Sequence, residues 1–63
     1  MKNIPLPKIG APATRALNSI GIYYLEQLTK FTEKEIMDLH GMGPKALGIL
    51  KLEMQRNGLS FKI

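Results

Sequence analysis

The residues of this chain best suited to chemistry are the run Gly41-Met42-Gly43-Pro44-Lys45. Two glycines around one apolar residue let a backbone turn through conformations that a side chain would forbid, with Met42 as a plug into the core. A proline next suits the first turn of a helix, whose leading N–H groups lack intrahelical partners and lie at the positive end of the helix dipole. An anion, and most naturally a backbone phosphate, fits such donors, and Lys45 in the same turn adds a charge. This is binding chemistry and not catalysis. Arg15 and Lys51 extend the cationic set to give Arg15, Gly41, Met42, Gly43, Lys45 and Lys51 as the candidate nucleic-acid contacts. The other chemistry-bearing types are thinly supplied. His40 is the sole histidine, cysteine is absent, and Glu33, Glu35 and Asp38 read as a solvated helix start, so no enzyme, metal or cofactor is expected. A base-flipping pocket of the glycosylase kind needs more chain than 63 residues supply.

Elements must hold these residues in place. Pro5 and Pro7 disfavour helix at the residues before them, so residues 1–8 read as an extended segment and residues 9–63 as the domain, with order starting near Ile9. A first helix is predicted over about Pro12–Ser19, stopped by Gly21, and a short second one over Tyr23–Leu28. Thr32-Glu33-Lys34-Glu35 is a capping box, which starts a third helix at Glu33 and carries it to about Leu39. Pro44 opens a fourth, with Leu47, Leu50 and Met54 on one stripe and a stop at Asn57-Gly58. No segment alternates like a strand. The expected fold is therefore all-α, a compact bundle of four to five short helices. Met37, Met42 and Met54 are expected to fill the core, and of Tyr23 and Tyr24 one ring is expected to pack while the other stays at the surface.

Charge is unevenly placed. Nine Lys and Arg face five Asp and Glu, and residues 1–25, 26–39 and 40–63 carry +3, −2 and +3. Folding that joins the two ends would present a basic face to phosphate. The stretches Leu17–Leu28 and Leu39–Leu50 also align at an offset of 22 residues, matching three leucines, one glycine and the apolar residue before it. Each copy reads as a helix end, a hairpin with an apolar plug and a new helix. The first, with Ser19 and Ile22 where the second has Gly41 and Pro44, is expected to be structural.

The run Leu39-His40-Gly41-Met42-Gly43-Pro44-Lys45-Ala46-Leu47-Gly48-Ile49-Leu50 resembles the helix-hairpin-helix motif. The order of elements from Ile9 to Gly58-Leu59-Ser60-Phe61 is similar to the C-terminal domain of the bacterial RNA polymerase α subunit, and the chain also resembles small free-standing bacterial versions of it. The resemblance implies a tandem helix-hairpin-helix, SAM-like arrangement. It also implies docking on the backbone or minor groove of duplex DNA, with RNA polymerase or another protein as a second partner in transcription. Gly43 and Lys45 match phosphate-contact positions of the family, and Arg15 falls on the first-helix face that enters the groove. Pro12, Ala46 and Ile49 stand where the family has an arginine, a serine and a glutamate, which implies backbone contact with weak sequence preference.

An alternative of another class uses the same scaffold as a protein-interaction module, through an apolar patch at Ile49 and Leu52 that lies off the buried stripe. No membrane or small-molecule partner is expected. The N-terminus lacks an apolar signal stretch and no run approaches a membrane span, so a cytoplasmic location, at the nucleoid if DNA is bound, is the expectation.

Overall fold

A computed structural model describes residues 3–63. Its elements are α1 (Ala11–Ser19), a 3-10 helix (Leu25–Lys30), α2 (Glu33–Met37) and α3 (Pro44–Arg56). Among the described residues there is no strand, only isolated bridges between Pro5 and Tyr24 and between Thr32 and Lys62. The all-helical expectation therefore holds.

Local chemistry explains each boundary. Thr32 caps α2 reciprocally: its hydroxyl accepts the Glu35 N–H at 3.1 Å, and Glu35 Oε1 accepts the Thr32 N–H at 2.8 Å. Pro44 opens α3 as expected, and the helix closes at Asn57-Gly58, where Gly58 takes φ +71° and the Leu59 N–H reaches the Met54 carbonyl at 2.7 Å. Only a glycine adopts that left-handed position at no steric cost. Between these caps α3 buries Ala46, Leu47, Leu50 and Met54. They join Leu17, Ile22, Leu25, Leu28 and Ile36 in one core, and among the described residues no polar residue is buried.

The second helix differs from expectation. It starts at Leu25, not Tyr23, and winds as a 3-10 turn. Tyr24 is extended (φ −130°, ψ 148°) because it pairs with Pro5, and Gln27 Oε1 accepts the N–H groups of both Tyr23 and Tyr24, at 2.7 and 2.9 Å. A glutamine side chain thus supplies the acceptors that another helical turn would have supplied. Both tyrosine rings are exposed, Tyr23 at 56% and Tyr24 at 39%, so neither is a core ring. Met37 is likewise exposed, whereas Met42 and Met54 are buried. α2 ends at Met37, two residues before the expected Leu39.

The internal repeat keeps its leucines but shifts register at its corners. At the offset of 22 Ile20 would be the plug matching Met42, yet Ile20 is exposed and Ile22 is buried. The positive-φ glycines are Gly21 (+82°) and Gly41 (+97°), each directly followed by its plug, Ile22 and Met42. The corners therefore match at an offset of 20, and the second copy reaches its buried leucine pair two residues later. That difference absorbs the change from a 3-10 to an α-helical exit.

Packing also begins before Ile9. Ile4, Leu6 and Ile9 lie against the core, and the Leu25 N–H donates to the Ile4 carbonyl at 2.7 Å. The prolines keep this segment extended, while its alternate apolar residues tie it down. No helix among the described residues is long and apolar enough to cross a membrane.

Candidate functional site

The site is built by a close backbone approach. A Cβ placed on Gly41 would lie 2.9 Å from the Pro12 carbonyl oxygen, so the hairpin rests directly on the first turn of α1. Only a residue without a side chain fits there, for reasons of both space and φ. The contact sets an open groove on either side. One, of about 530 Å³, is lined by Lys8, Gly10, Gly43, Lys45 and Ile49 among others. The other, of about 370 Å³, is lined by Pro12, Arg15, Ser19 and His40.

Two helices start at the first groove. Gly43 is the N-cap of α3 and Gly10 that of α1, and neither helix has a side-chain cap or an acidic residue in its first turn. By contrast, α2 and the 3-10 helix each carry an acid in the first turn, and α2 has a capping box while Gln27 Oε1 accepts the N-cap Tyr24 N–H of the 3-10 helix. Pro44 has no N–H, so the outward donors of α3 are the backbone groups of Gly43, Lys45 and Ala46. Gly43 itself is extended (φ −118°, ψ 168°), and its carbonyl accepts the Leu47 N–H at 3.0 Å. A Cβ there would meet nothing within 4 Å. The two glycines of the hairpin thus have different duties. Gly41 permits the approach of α1, and Gly43 leaves the amides uncovered.

Charge follows the same geometry. Among the described residues the ion pairs are Lys51 with Glu33 at 3.2 Å and Arg56 with Glu53 at 3.6 Å. Lys8, Arg15 and Lys45 form none, and all three are exposed. Gly41, Gly43 and Lys45 therefore share one groove of the hairpin, and Arg15 lies in the other across Gly41. Met42 lies beneath them, 9% exposed, and supports the turn from inside. Lys51 is not part of this cluster, since it lines a separate groove with Glu33, Phe61 and Lys62. Ile49 is half-buried in the Lys45 groove, and Leu52 is exposed.

Two members of the cluster were not among the candidates read from sequence. Lys8 enters the groove from the N-terminal segment, and its signal was only its membership in the basic first block. His40 lines the Arg15 groove, and its signal was its place directly before Gly41.

Four of the five acids are engaged elsewhere, Glu33 and Glu53 in ion pairs and Glu26 and Glu35 as hydrogen-bond acceptors. Accepting the Thr32 N–H holds the Glu35 carboxyl below its ordinary range; loss of hydration opposes this in part, and the Thr32 hydroxyl and Lys62 add smaller lowering effects. No group of three His, Asp or Glu converges on a metal-sized site among the described residues. Compared with protein-family models, curated proteins and solved structures, the chain gives no match.

Proposed function

We propose that this domain is a non-catalytic DNA-binding module of tandem helix-hairpin-helix type, holding the phosphate backbone at the Gly41-Met42-Gly43 hairpin. The observation that carries this reading is the groove itself. Uncapped amides of α3 open into it beside Lys8 and Lys45, neither of which has an acidic partner among the described residues. Donors without acceptors, under a positive helix end and next to spare cations, favour an anion with several oxygens. Arg15 and His40 across the Gly41 contact suit a neighbouring phosphate of the same backbone. Contacts of this type fix position without reading bases, so binding is weak and tolerant of sequence. A place in bacterial transcription, at the nucleoid, fits the likeness to the polymerase α-subunit domain.

Fluorescence anisotropy with short duplexes tests the reading. Affinity in the micromolar range or weaker is expected, with log K falling about 0.9 per phosphate contact for each unit of log salt. Combined Lys45→Ala and Arg15→Ala should flatten the slope by nearly two such increments. Absence of binding at low salt, or a slope untouched by those changes, rejects it.

A second reading is favoured by one observation, the 56% exposure of Leu52 beside half-buried Ile49 on the outer face of α3. An apolar pair there suits a protein partner, RNA polymerase included. Leu52→Glu, outside both hairpin grooves, should then abolish polymerase capture by the folded domain while leaving duplex binding in place.

A further inference from the structure

Glu26 belongs to the acidic middle of the chain and lies outside both hairpin grooves. Its side chain nevertheless reaches the N-terminal segment. Glu26 Oε1 accepts the Ile4 N–H at 2.9 Å, and next to it the Leu25 N–H donates to the Ile4 carbonyl at 2.7 Å. Ile4 is thus held through both of its backbone polar groups by two successive residues of the 3-10 helix. The other carboxylate oxygen, Oε2, is buried and accepts no hydrogen bond. A carboxylate half removed from water in this way is costly unless the contact it makes matters to the fold.

The clasped segment leads to the site. From Ile4 the chain runs through Leu6 and Ile9, both against the core, to Gly10 at the start of α1, and Lys8 projects into the groove that also holds Lys45. Pro5 and Pro7 stiffen the path, since each fixes its own φ and restricts the residue before it. A stiff segment pinned at one end by Glu26 and at the other by the start of α1 holds the Lys8 side chain in one region. Released at Ile4, the same segment would let Lys8 spread over many positions and contribute less at any one of them.

We infer that Glu26 is a positioning residue for DNA binding, clasping the N-terminal segment at Ile4 so that Lys8 is presented beside Lys45. The inference rests on the phosphate-binding reading of the hairpin groove. It makes a prediction of unusual sign. Removing an acid from a DNA-binding domain ordinarily raises affinity, because it removes repulsion of phosphate. Here Glu26→Ala lowers it.

The test compares Glu26→Ala, Glu26→Gln, Lys8→Ala and the double variant Glu26→Ala with Lys8→Ala, each titrated with a short duplex by anisotropy at several salt concentrations. Glu26→Ala should weaken binding about two- to fivefold, the worth of one exposed charge contact, and flatten the salt slope by up to about 0.9. Glu26→Gln keeps an acceptor for the Ile4 N–H and should stay near the parent. The double variant should be no weaker than Lys8→Ala alone. Amide hydrogen exchange of Ile4 and Leu25, read without DNA, should quicken in Glu26→Ala and not in Glu26→Gln. If Glu26→Ala fails to fold, Ile4→Pro removes the same N–H with Glu26 intact and should reproduce the loss. Equal gains in affinity for Glu26→Ala and Glu26→Gln would overturn the inference, as would losses that simply add to that of Lys8→Ala. Failure of the parent to bind any duplex would instead reject the function on which it rests, whatever the exchange rates.

Discussion

Replacing Gly43 with aspartate separates the stability of the hairpin from its use. The position accepts a side chain freely, because φ is −118° and a Cβ would meet nothing within 4 Å. It is also the N-cap of a thirteen-residue helix that has no side-chain cap and no acid in its first turn. An aspartate there accepts one of the uncovered amides and complements the helix dipole, which together stabilise by about 0.5–1.5 kcal/mol. For a domain of this size that raises Tm by roughly 2 to 12 °C. The same carboxylate occupies the donors assigned to phosphate. Loss of one charge-assisted hydrogen bond costs about 1.5–3 kcal/mol, so affinity for a duplex should fall about tenfold or more. Melting by circular dichroism and anisotropy titration read the two effects on the same sample. Gln55→Glu, exposed near the far end of the same helix, controls for the bare change of charge. Gly43→Ser, a neutral cap, should weaken binding with no change of charge at all. Equal losses for Gly43→Asp and Gln55→Glu would refute the phosphate assignment, and a lower Tm for Gly43→Asp would refute the capping geometry.

Three further outcomes follow from the same structure. Gly41→Ala should cost about 2–4 kcal/mol in chemical denaturation, combining positive-φ strain with the collision at the Pro12 carbonyl, whereas Gly58→Ala, at φ +71° in open space, should cost only about 1–2. Equal costs would show that the close approach of α1 is not what Gly41 permits. Lys45→Ala should flatten the salt slope of duplex binding by about 0.9, while Lys51→Ala, whose side chain pairs with Glu33 beside another groove, should leave it unchanged. Because Glu35 has a lowered pKa in the folded state, its stabilising effect is present above its ordinary value of 4.5 and is lost as pH falls through the lowered one. The Tm difference between the parent and Glu35→Gln should therefore shrink between about pH 5 and pH 3, and a constant difference would contradict the cap.

What could be read from the sequence was what local chemistry decides. The Thr32 capping box, the Pro44 start and the Gly58 stop each depend on a few neighbouring residues, and each lies where the sequence places it. The Tyr23–Leu28 helix was misplaced because its start is decided at long range. Pro5, nineteen residues earlier, pairs with Tyr24 and keeps it extended. The same distance hid the role of Ile4 and Leu6, which read as part of a proline-rich leader until the 3-10 helix is there to receive them. Of the candidate residues chosen by type, Arg15, Gly41, Gly43 and Lys45 lie around the hairpin, but which cations share a face was not legible. Lys51 is diverted by Glu33 from α2, and Lys8 arrives from a segment whose path no periodicity describes.

The charge balance gains meaning from this placement. A surplus of +4 spread evenly would say little beyond solubility. In the fold, however, Glu33 and Glu53 are taken up by Lys51 and Arg56, Glu35 by the cap of α2, and Glu26 by Ile4. Four of the five acids thus serve the scaffold. None of those four lines either hairpin groove, and the cations that do, Lys8, Lys45 and Arg15, have no acid to satisfy them among the described residues. Exposed cations repel one another, so placing Lys8 and Lys45 together at an uncapped helix start, with Arg15 in the adjoining groove, works against stability unless an anion joins them. The Leu52 face asks for less, since a single exposed leucine is ordinary on a small domain. Lys30, Lys34 and Lys62 also form no ion pair among the described residues but lie in neither hairpin groove, so the hairpin is distinguished by the coincidence of unpaired cations with uncapped backbone donors, and that coincidence is what favours the proposed polyanion over an apolar surface.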